Sequence, residues 1–230
     1  MKKFYDRTDA GRQLATCLQT YATRADTVVL GLPRGGVPVA YEIAHALSVP
    51  LDLCLVRKLS VPRSKEMAFG AIATEGVRVL NDEVIRWLNV SKCEIEQAIA
   101  EEQIALQRLQ QMCRGSRPQL DICNRTVILV DDGIATGATA KAALAILRSQ
   151  KPKEVVLAVP VAPQSECHHF RAMVDQLVCL MTPHPFRAIS LWYEDFSQVT
   201  DAQVRDLLGK YPIEMAKLVE SRSDQFGLTT

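Results

Sequence analysis

Val127 to Ala140 reads VILVDDGIATGATA, and this stretch decides the fold. With Thr126 its opening residues form an unbroken aliphatic and β-branched run, the composition of a strand buried on both faces. From Ala140 the chain continues AKAALAIL, a series of good helix formers. Between strand and helix, residues Ala135 to Thr139 contain no proline, so successive backbone N–H groups stand at the mouth of a helix, where they lack internal partners and where the helix dipole favours an anion. Gly137 permits close approach of backbone to ligand, and the hydroxyls of Thr136 and Thr139 add donors. Asp131 and Asp132 would repel a phosphate at the same spot, so they need a different client, and the vicinal hydroxyls of a ribose are natural donors to them. Taken singly, Asp-Asp-Gly also suits a turn after a strand, and Thr a helix cap.

Outward from this segment the same alternation recurs. Thr27 to Leu32, Leu51 to Arg57, Glu154 to Pro160 and Gln176 to Met181 have the make-up of buried strands, with helical patterns over Gly36–Leu47 and Gly137–Gln150. We therefore expect an α/β fold with a mainly parallel central sheet flanked by helices, and ligands at the carboxyl ends of its strands. The alternation breaks in two places. Leu59 to Asn81 suits a mobile loop leading into a β-hairpin, and Ser91 to about Cys113 suits a long packing helix opened by the capping-box pattern Ser91-x-x-Glu94. We read one domain over 1–230, with a hood loop and hairpin over 58–81, a helical insertion over 82–115 and a C-terminal helical tail over 197–230.

Bulk properties narrow the function classes. Of the 230 residues 48% are hydrophobic and 23% charged, values of an ordinary globular protein and not of a disordered or fibrous one. The 27 basic and 26 acidic side chains nearly cancel and are spread along the chain, which argues against a nucleic-acid partner and makes any anion site local. No apolar run approaches the roughly 20 residues that span a bilayer, and MKKFYDRTDAG lacks the apolar core of a secretory signal, so we expect a cytoplasmic protein without a membrane partner. The cysteines, at 17, 54, 93, 113, 123, 167 and 179, form no CxxC pair and suggest neither a disulfide framework nor a zinc site. Cys167, His168 and His169 are adjacent, and adjacent positions rarely converge on one metal, so we read a helix flank or loop there.

The whole of Val127–Ala140 resembles the phosphoribosyl-pyrophosphate signature of type I phosphoribosyltransferases: apolar strand, two acidic residues, two spacers, a Thr-Gly phosphate loop. No Walker A or GxGxxG sequence is present. The resemblance implies that Asp131 and Asp132 hold the ribose hydroxyls of 5-phosphoribosyl-1-pyrophosphate (PRPP) and that Ala135, Thr136, Gly137, Ala138 and Thr139 hold its 5-phosphate. Upstream, Gly31-Leu32-Pro33-Arg34-Gly35-Gly36 is similar to the pyrophosphate loop of the same family, in which a non-proline cis peptide aims backbone amides at the ligand. Arg34, Gly35 and Gly36, with Arg57 and Lys58 of the hood, would then meet the pyrophosphate. Arg63, Lys65 and Glu66 stand in the hood as well, which would close over the sugar and exclude water.

Mg²⁺ is the implied cofactor, carried mainly by substrate oxygens, with no direct protein ligand assigned. The acceptor would be a nucleobase or similar nitrogen compound. Hypoxanthine-type members carry an Asp at the position of Ala135, so Glu66 or Glu75 becomes the candidate for proton transfer. TPHPFRAISLWYEDF at 182–196 is similar to the segment closing the base pocket in those enzymes and places Phe186 as a stacking platform, while Trp192 and Tyr193 are also suited to the core. GLPRGG, VRKL, VPVAP and WYEDF together resemble a bacterial group of phosphoribosyltransferases. A homodimer is the family-level expectation. Against a catalyst of nucleotide metabolism stands a PRPP-sensing regulator that binds nucleic acid or protein, and fold alone does not separate them. The presence of Arg34 and the hood cations favours the enzyme.

Overall fold

The computed structural model describes residues 3–61 and 64–211, and of residues 64–66 and 75 the backbone alone. From the N-terminus come helix α1 (Arg7–Cys17), strand β1 (Thr27–Gly31), helix α2 (Gly36–Leu47), and strands β2 (Leu51–Leu53), β3 (Val56–Val61), β4 (Ser64–Ala73) and β5 (Arg78–Leu80). Helices α3 (Asp82–Trp87) and α4 (Lys92–Cys113), strand β6 (Thr126–Val130) and helix α5 (Ala138–Ser149) follow. Strand β7 (Glu154–Val161), helix α6 (Gln164–Arg171), strand β8 (Gln176–Met181) and helix α7 (Asp201–Gly209) complete the described chain. The described residues divide into two compact units, one within 3–54, 118–135 and 152–211, the other within 55–61, 64–117 and 136–151.

The first unit holds a parallel five-stranded sheet in the order β2-β1-β6-β7-β8. Every residue of β1 and β6 is buried, which a strand achieves only when both faces are covered, and this is why these segments are continuous apolar runs instead of alternating ones. Helices α1, α2 and α6 flank the sheet. Strand order reverses at β1: β2 lies on one side of it and β6 on the other. Their carboxyl ends, Gly31 and Val130, are register partners, and Leu32 N–H donates to the Val130 carbonyl at 2.9 Å, carrying the pairing one step beyond β1. A crevice opens at such a reversal because the following helices leave on different sides. Asp52 of β2 is buried yet satisfied, accepting from Leu53 N–H and Leu120 N–H.

The second unit pairs an antiparallel sheet, β3-β4-β5, with α4 and α5. Here the structure corrects two sequence expectations. The run 51–57 is not one strand: β2 ends at Leu53, and Val56 opens β3 of the other sheet. The burial pattern marks the split, since 51–53 are buried throughout whereas in 56–61 buried Val56, Leu59 and Val61 are interleaved with exposed or half-buried Arg57, Lys58 and Ser60, and the register with β4 shifts after Leu59. Of the stretch read as a mobile loop leading into a hairpin, the hairpin is present as β4 and β5, whereas Leu59–Val61 and the start of β4 from Ser64 are strand and not loop. The Ser91 cap behaves as read, with Ser91 and Glu94 satisfying each other's backbone N–H groups at the head of α4. No helix among the described residues is long and apolar enough to cross a membrane. Of the expected C-terminal tail, α7 is described and 212–230 lie outside the described residues.

Candidate functional site

Two loops meet at the sheet reversal. The β1–α2 loop carries a cis peptide between Pro33 and Arg34, as the pyrophosphate-loop resemblance implies, and Gly35 and Gly36 open α2. A Cβ on Gly36 would stand 2.6 Å from the Val130 carbonyl and 2.8 Å from Asp131 Cα, and one on Gly35 would stand 2.0 Å from Asp132 Oδ2. Any side chain at either position would push the acidic pair away, so the two glycines are what allow Asp131 and Asp132 to sit against this loop. Asp131, Asp132, Arg34, Gly35 and Gly36, chosen from sequence, are thus brought together in one unit.

The carboxylates are anchored from outside both motifs. Asp131 Oδ1 accepts the Asp132 N–H at 2.9 Å. Asp132 Oδ2 accepts from Arg7 Nε at 2.8 Å, and Tyr193 donates its hydroxyl to the Asp132 carbonyl at 2.6 Å. Arg34 leans the other way, its Nε and Nη2 reaching Asp201 at the head of α7 at 2.6 and 3.3 Å. A cleft of about 440 Å³ is lined by Arg7, Arg34, Gly35, Asp132, Phe196 and, from the strap formed by residues 182–200 between β8 and α7, Gln198 and Val199. Burial, followed by the charge of Asp132, pushes the Asp131 carboxyl well above the usual carboxylate range. Asp132 is raised too, by burial, with Arg7 pulling it back down. The two carboxyl groups also hydrogen-bond one another, so the pair is held as a unit whose oxygens can exchange that mutual contact for the hydroxyls of a diol.

The chain passes into the second unit after Ala135. Gly137 has φ +69°, a left-handed conformation that favours glycine, and caps α5, whose first N–H groups have no partner within the helix. In that unit Lys58 lines a cavity of about 1020 Å³ together with Thr136, Ala138 and Lys141, so a hood cation and the proposed phosphate loop share one hollow. Arg57 is engaged elsewhere, its Nε donating to Glu102 of α4 at 2.7 Å. Contrary to the expectation that Arg57 and Lys58 leave a strand for a mobile loop, both lie within β3.

Phe186 is half-buried in the turn after β8 and does not line the 440 Å³ cleft; the aromatic there is Phe196. Arg63 and the side chains of Lys65, Glu66 and Glu75 lie outside the described residues. Cys167, His168 and His169 lie on α6, with Cys167 buried. Sequence reasoning did not single out Arg7 or Asp201, held Phe196 only as the last residue of the segment likened to a base-pocket closure, and left Tyr193 between that segment and the core. Tyr193 is in the core, packed with Phe4 and Phe196, but its hydroxyl also serves the acidic loop. The WYEDF segment held that signal; Arg7 and Asp201 carried none, because nothing local marks which distant carboxylate or guanidinium they meet.

A sequence model of the family described as phosphoribosyl transferase domain matches residues 5–186. A Mycobacterium tuberculosis H37Rv protein bearing the name "Putative phosphoribosyl transferase" is 48% identical over 204 residues, covering 89% of this chain and 46% of that protein, and its counterpart in strain CDC 1551 matches equally. The chain therefore spans about half the length of the curated relatives it matches. Among solved structures, the crystal structure of TT1426 from Thermus thermophilus matches with a TM-score of 0.84 at 38% identity, covering 92% of this chain and 99% of that one.

Proposed function

The chain belongs to the phosphoribosyl transferase domain family, and from that premise we propose that it binds PRPP beyond the carboxyl ends of β1 and β6 and transfers phosphoribose to a nucleobase-like nitrogen acceptor, releasing pyrophosphate. The observation that carries this reading is the pair Asp131–Asp132 held against Gly35 and Gly36 at the sheet reversal, with Asp131 anchored on the Asp132 N–H and Asp132 on Arg7. Asp131 and Asp132 accept from the ribose hydroxyls. Residues Ala135 to Thr139, continuous with them in the chain, receive the 5-phosphate on backbone N–H groups and the Thr136 and Thr139 hydroxyls. Arg34, with Gly35 and Gly36, meets the pyrophosphate. Lys58 supplies positive charge beside Thr136 and Ala138, Phe186 is the candidate platform for the base, and Glu66 is the candidate proton acceptor.

In the reaction the bond from the anomeric carbon to pyrophosphate oxygen breaks as a nitrogen lone pair forms the new bond, and positive charge develops on the sugar ring. The acidic pair is fixed before the sugar arrives, and positive charge developing beside it favours the ionised form of both acids, which then stabilise that charge, while cations stabilise the departing anion. The protein's donor set suits Mg²⁺ only in part: two adjacent carboxylates supply hard oxygens but too few to fill an octahedral shell, and no cluster of three metal-ligating side chains occurs among the described residues. Mg²⁺ would therefore come with the substrate, adding Lewis-acid charge neutralisation to its oxygens.

Pyrophosphate release from PRPP and Mg²⁺ against a panel of bases tests the reading, with Asp131→Asn/Asp132→Asn as the control. Release with at least one base, abolished in the double variant, is expected. Binding of PRPP without release for any base would overturn the transferase reading and point instead to a PRPP-sensing regulator.

A further inference from the structure

Arg7 opens α1 directly after its N-cap, Asp6, yet its side chain is only 11% exposed. A guanidinium withdrawn this far from water needs compensation on several sides, and it has it. Nε donates to Asp132 Oδ2 at 2.8 Å, Nη1 donates to the Ser197 carbonyl at 2.8 Å, and the guanidinium carbon lies 3.9 Å from the centre of the Phe196 ring. Its root is placed as firmly. Gly11 brings α1 against α2 so closely that a Cβ there would stand 2.7 Å from the Val39 carbonyl. Phe4 packs on Tyr193, and backbone bonds tie Phe4 and Tyr5 to the strap at Trp192, Glu194 and Asp195. The start of the chain and the strap after β8 therefore converge on Asp132, which also receives the Tyr193 hydroxyl on its carbonyl.

We propose that Arg7 is a positioning residue of the sugar site, holding Asp132 through Oδ2 in the orientation that meets a ribose hydroxyl, with Phe196 and Ser197 fixing the guanidinium in turn. The inference rests on the sugar-binding reading above. Packing alone does not require an arginine here, since an apolar side chain would fill the space under Phe196 without the cost of desolvating a charge. What only a cation supplies is a counter-charge at Asp132. The groups facing that carboxyl are Asp131 beside it, Arg7 from α1, the Tyr193 phenol from the strap and Arg34 across the cleft. Arg34 is paired with Asp201, while Arg7 bonds the Asp132 carboxyl directly. Burial favours the protonated acid at Asp132 and Arg7 opposes it. A protonated carboxyl accepts a hydroxyl poorly and brings no negative charge to the sugar.

PRPP binding by calorimetry with Mg²⁺, from pH 5 to 8, on wild type, Arg7→Gln and Arg7→Lys tests this. Arg7→Gln is expected to weaken PRPP about 10- to 100-fold at neutral pH, the loss of a charge-assisted contact, and to move the acid limb of the binding profile to higher pH. Arg7→Lys keeps the charge, so its acid limb should stay at the wild-type position and most of the affinity should return. If the glutamine variant does not fold, the lysine variant carries the test: an acid limb displaced as far as a neutral residue would displace it overturns the proposal. Wild type that binds while Arg7→Gln binds within about two-fold of it, with an unmoved limb, overturns the proposal alone. Wild type that binds at no pH overturns the sugar-binding reading and the proposal together.

Discussion

Gly35→Ala is the smallest change that should disable the site while leaving the fold. The backbone tolerates it: Gly35 has φ −63° and ψ −34°, a right-handed helical conformation open to any L-residue. Space does not, because the new methyl carbon would stand 2.0 Å from Asp132 Oδ2 and 2.6 Å from its Cγ. To regain van der Waals contact the carboxylate must withdraw by roughly 1.5 Å, which breaks the 2.8 Å bond to Arg7. If both charges stayed buried and unpaired, the cost would approach about 3–5 kcal/mol. Asp132 can instead turn into the cleft and meet water, so we expect a net destabilisation of about 1–2 kcal/mol, a fall in Tm of about 2–8 °C. Binding suffers more. The displaced acid no longer offers an oxygen to the sugar, and losing one hydrogen bond to a charged group costs about 1.5–3 kcal/mol, or about 10- to 150-fold in the Kd for PRPP. Calorimetry of PRPP with Mg²⁺, beside a thermal melt, measures both. A variant that binds PRPP within about two-fold of wild type would refute the close-approach argument for Gly35.

Two further outcomes follow from the same geometry. Asp131 titrates above the usual carboxylate range in the folded protein, so its charge counts against folding as pH rises through that range and not below roughly pH 3.9, where both states are protonated. Asp131→Asn should therefore melt higher than wild type at pH 7, with the gap closing on acidification to pH 4, and a gap that ignores pH would contradict the assignment. Asp201 holds the Arg34 guanidinium much as a phosphate would, through a pair whose arginine side chain is 43% exposed. Asp201→Asn should release it and tighten inorganic pyrophosphate binding by up to about five-fold at low salt, the worth of such a surface pair, and weaker binding in the variant would show that Asp201 orients Arg34 for the anion.

The parallel sheet was legible because its strands are buried on both faces, so Val28–Leu30 and Val127–Val130 stand out as runs without alternation. Helices α2 and α4 were legible from local chemistry, the glycines before Val37 and the capping box at Ser91. The split at Cys54–Leu55 was not, because two strands of different sheets joined by the apolar pair Cys54–Leu55 look like one largely apolar run from Leu51 to Val56. At the site, the Asp131–Asp132 and Arg34–Gly36 loops were visible as motifs since their function depends on neighbouring residues. Arg7 and Asp201 escaped because their meaning lies in contacts more than a hundred residues away along the chain.

The central claim, that the chain recognises PRPP with its sugar on Asp131 and Asp132, is tested most directly by titrating the wild-type chain in Mg²⁺ with PRPP, ribose 5-phosphate and pyrophosphate in parallel. PRPP is expected to bind with unit stoichiometry and more tightly than either fragment, and to lose that advantage in Asp131→Asn/Asp132→Asn. PRPP binding no tighter than pyrophosphate alone, or equally well in the double variant, would contradict the account.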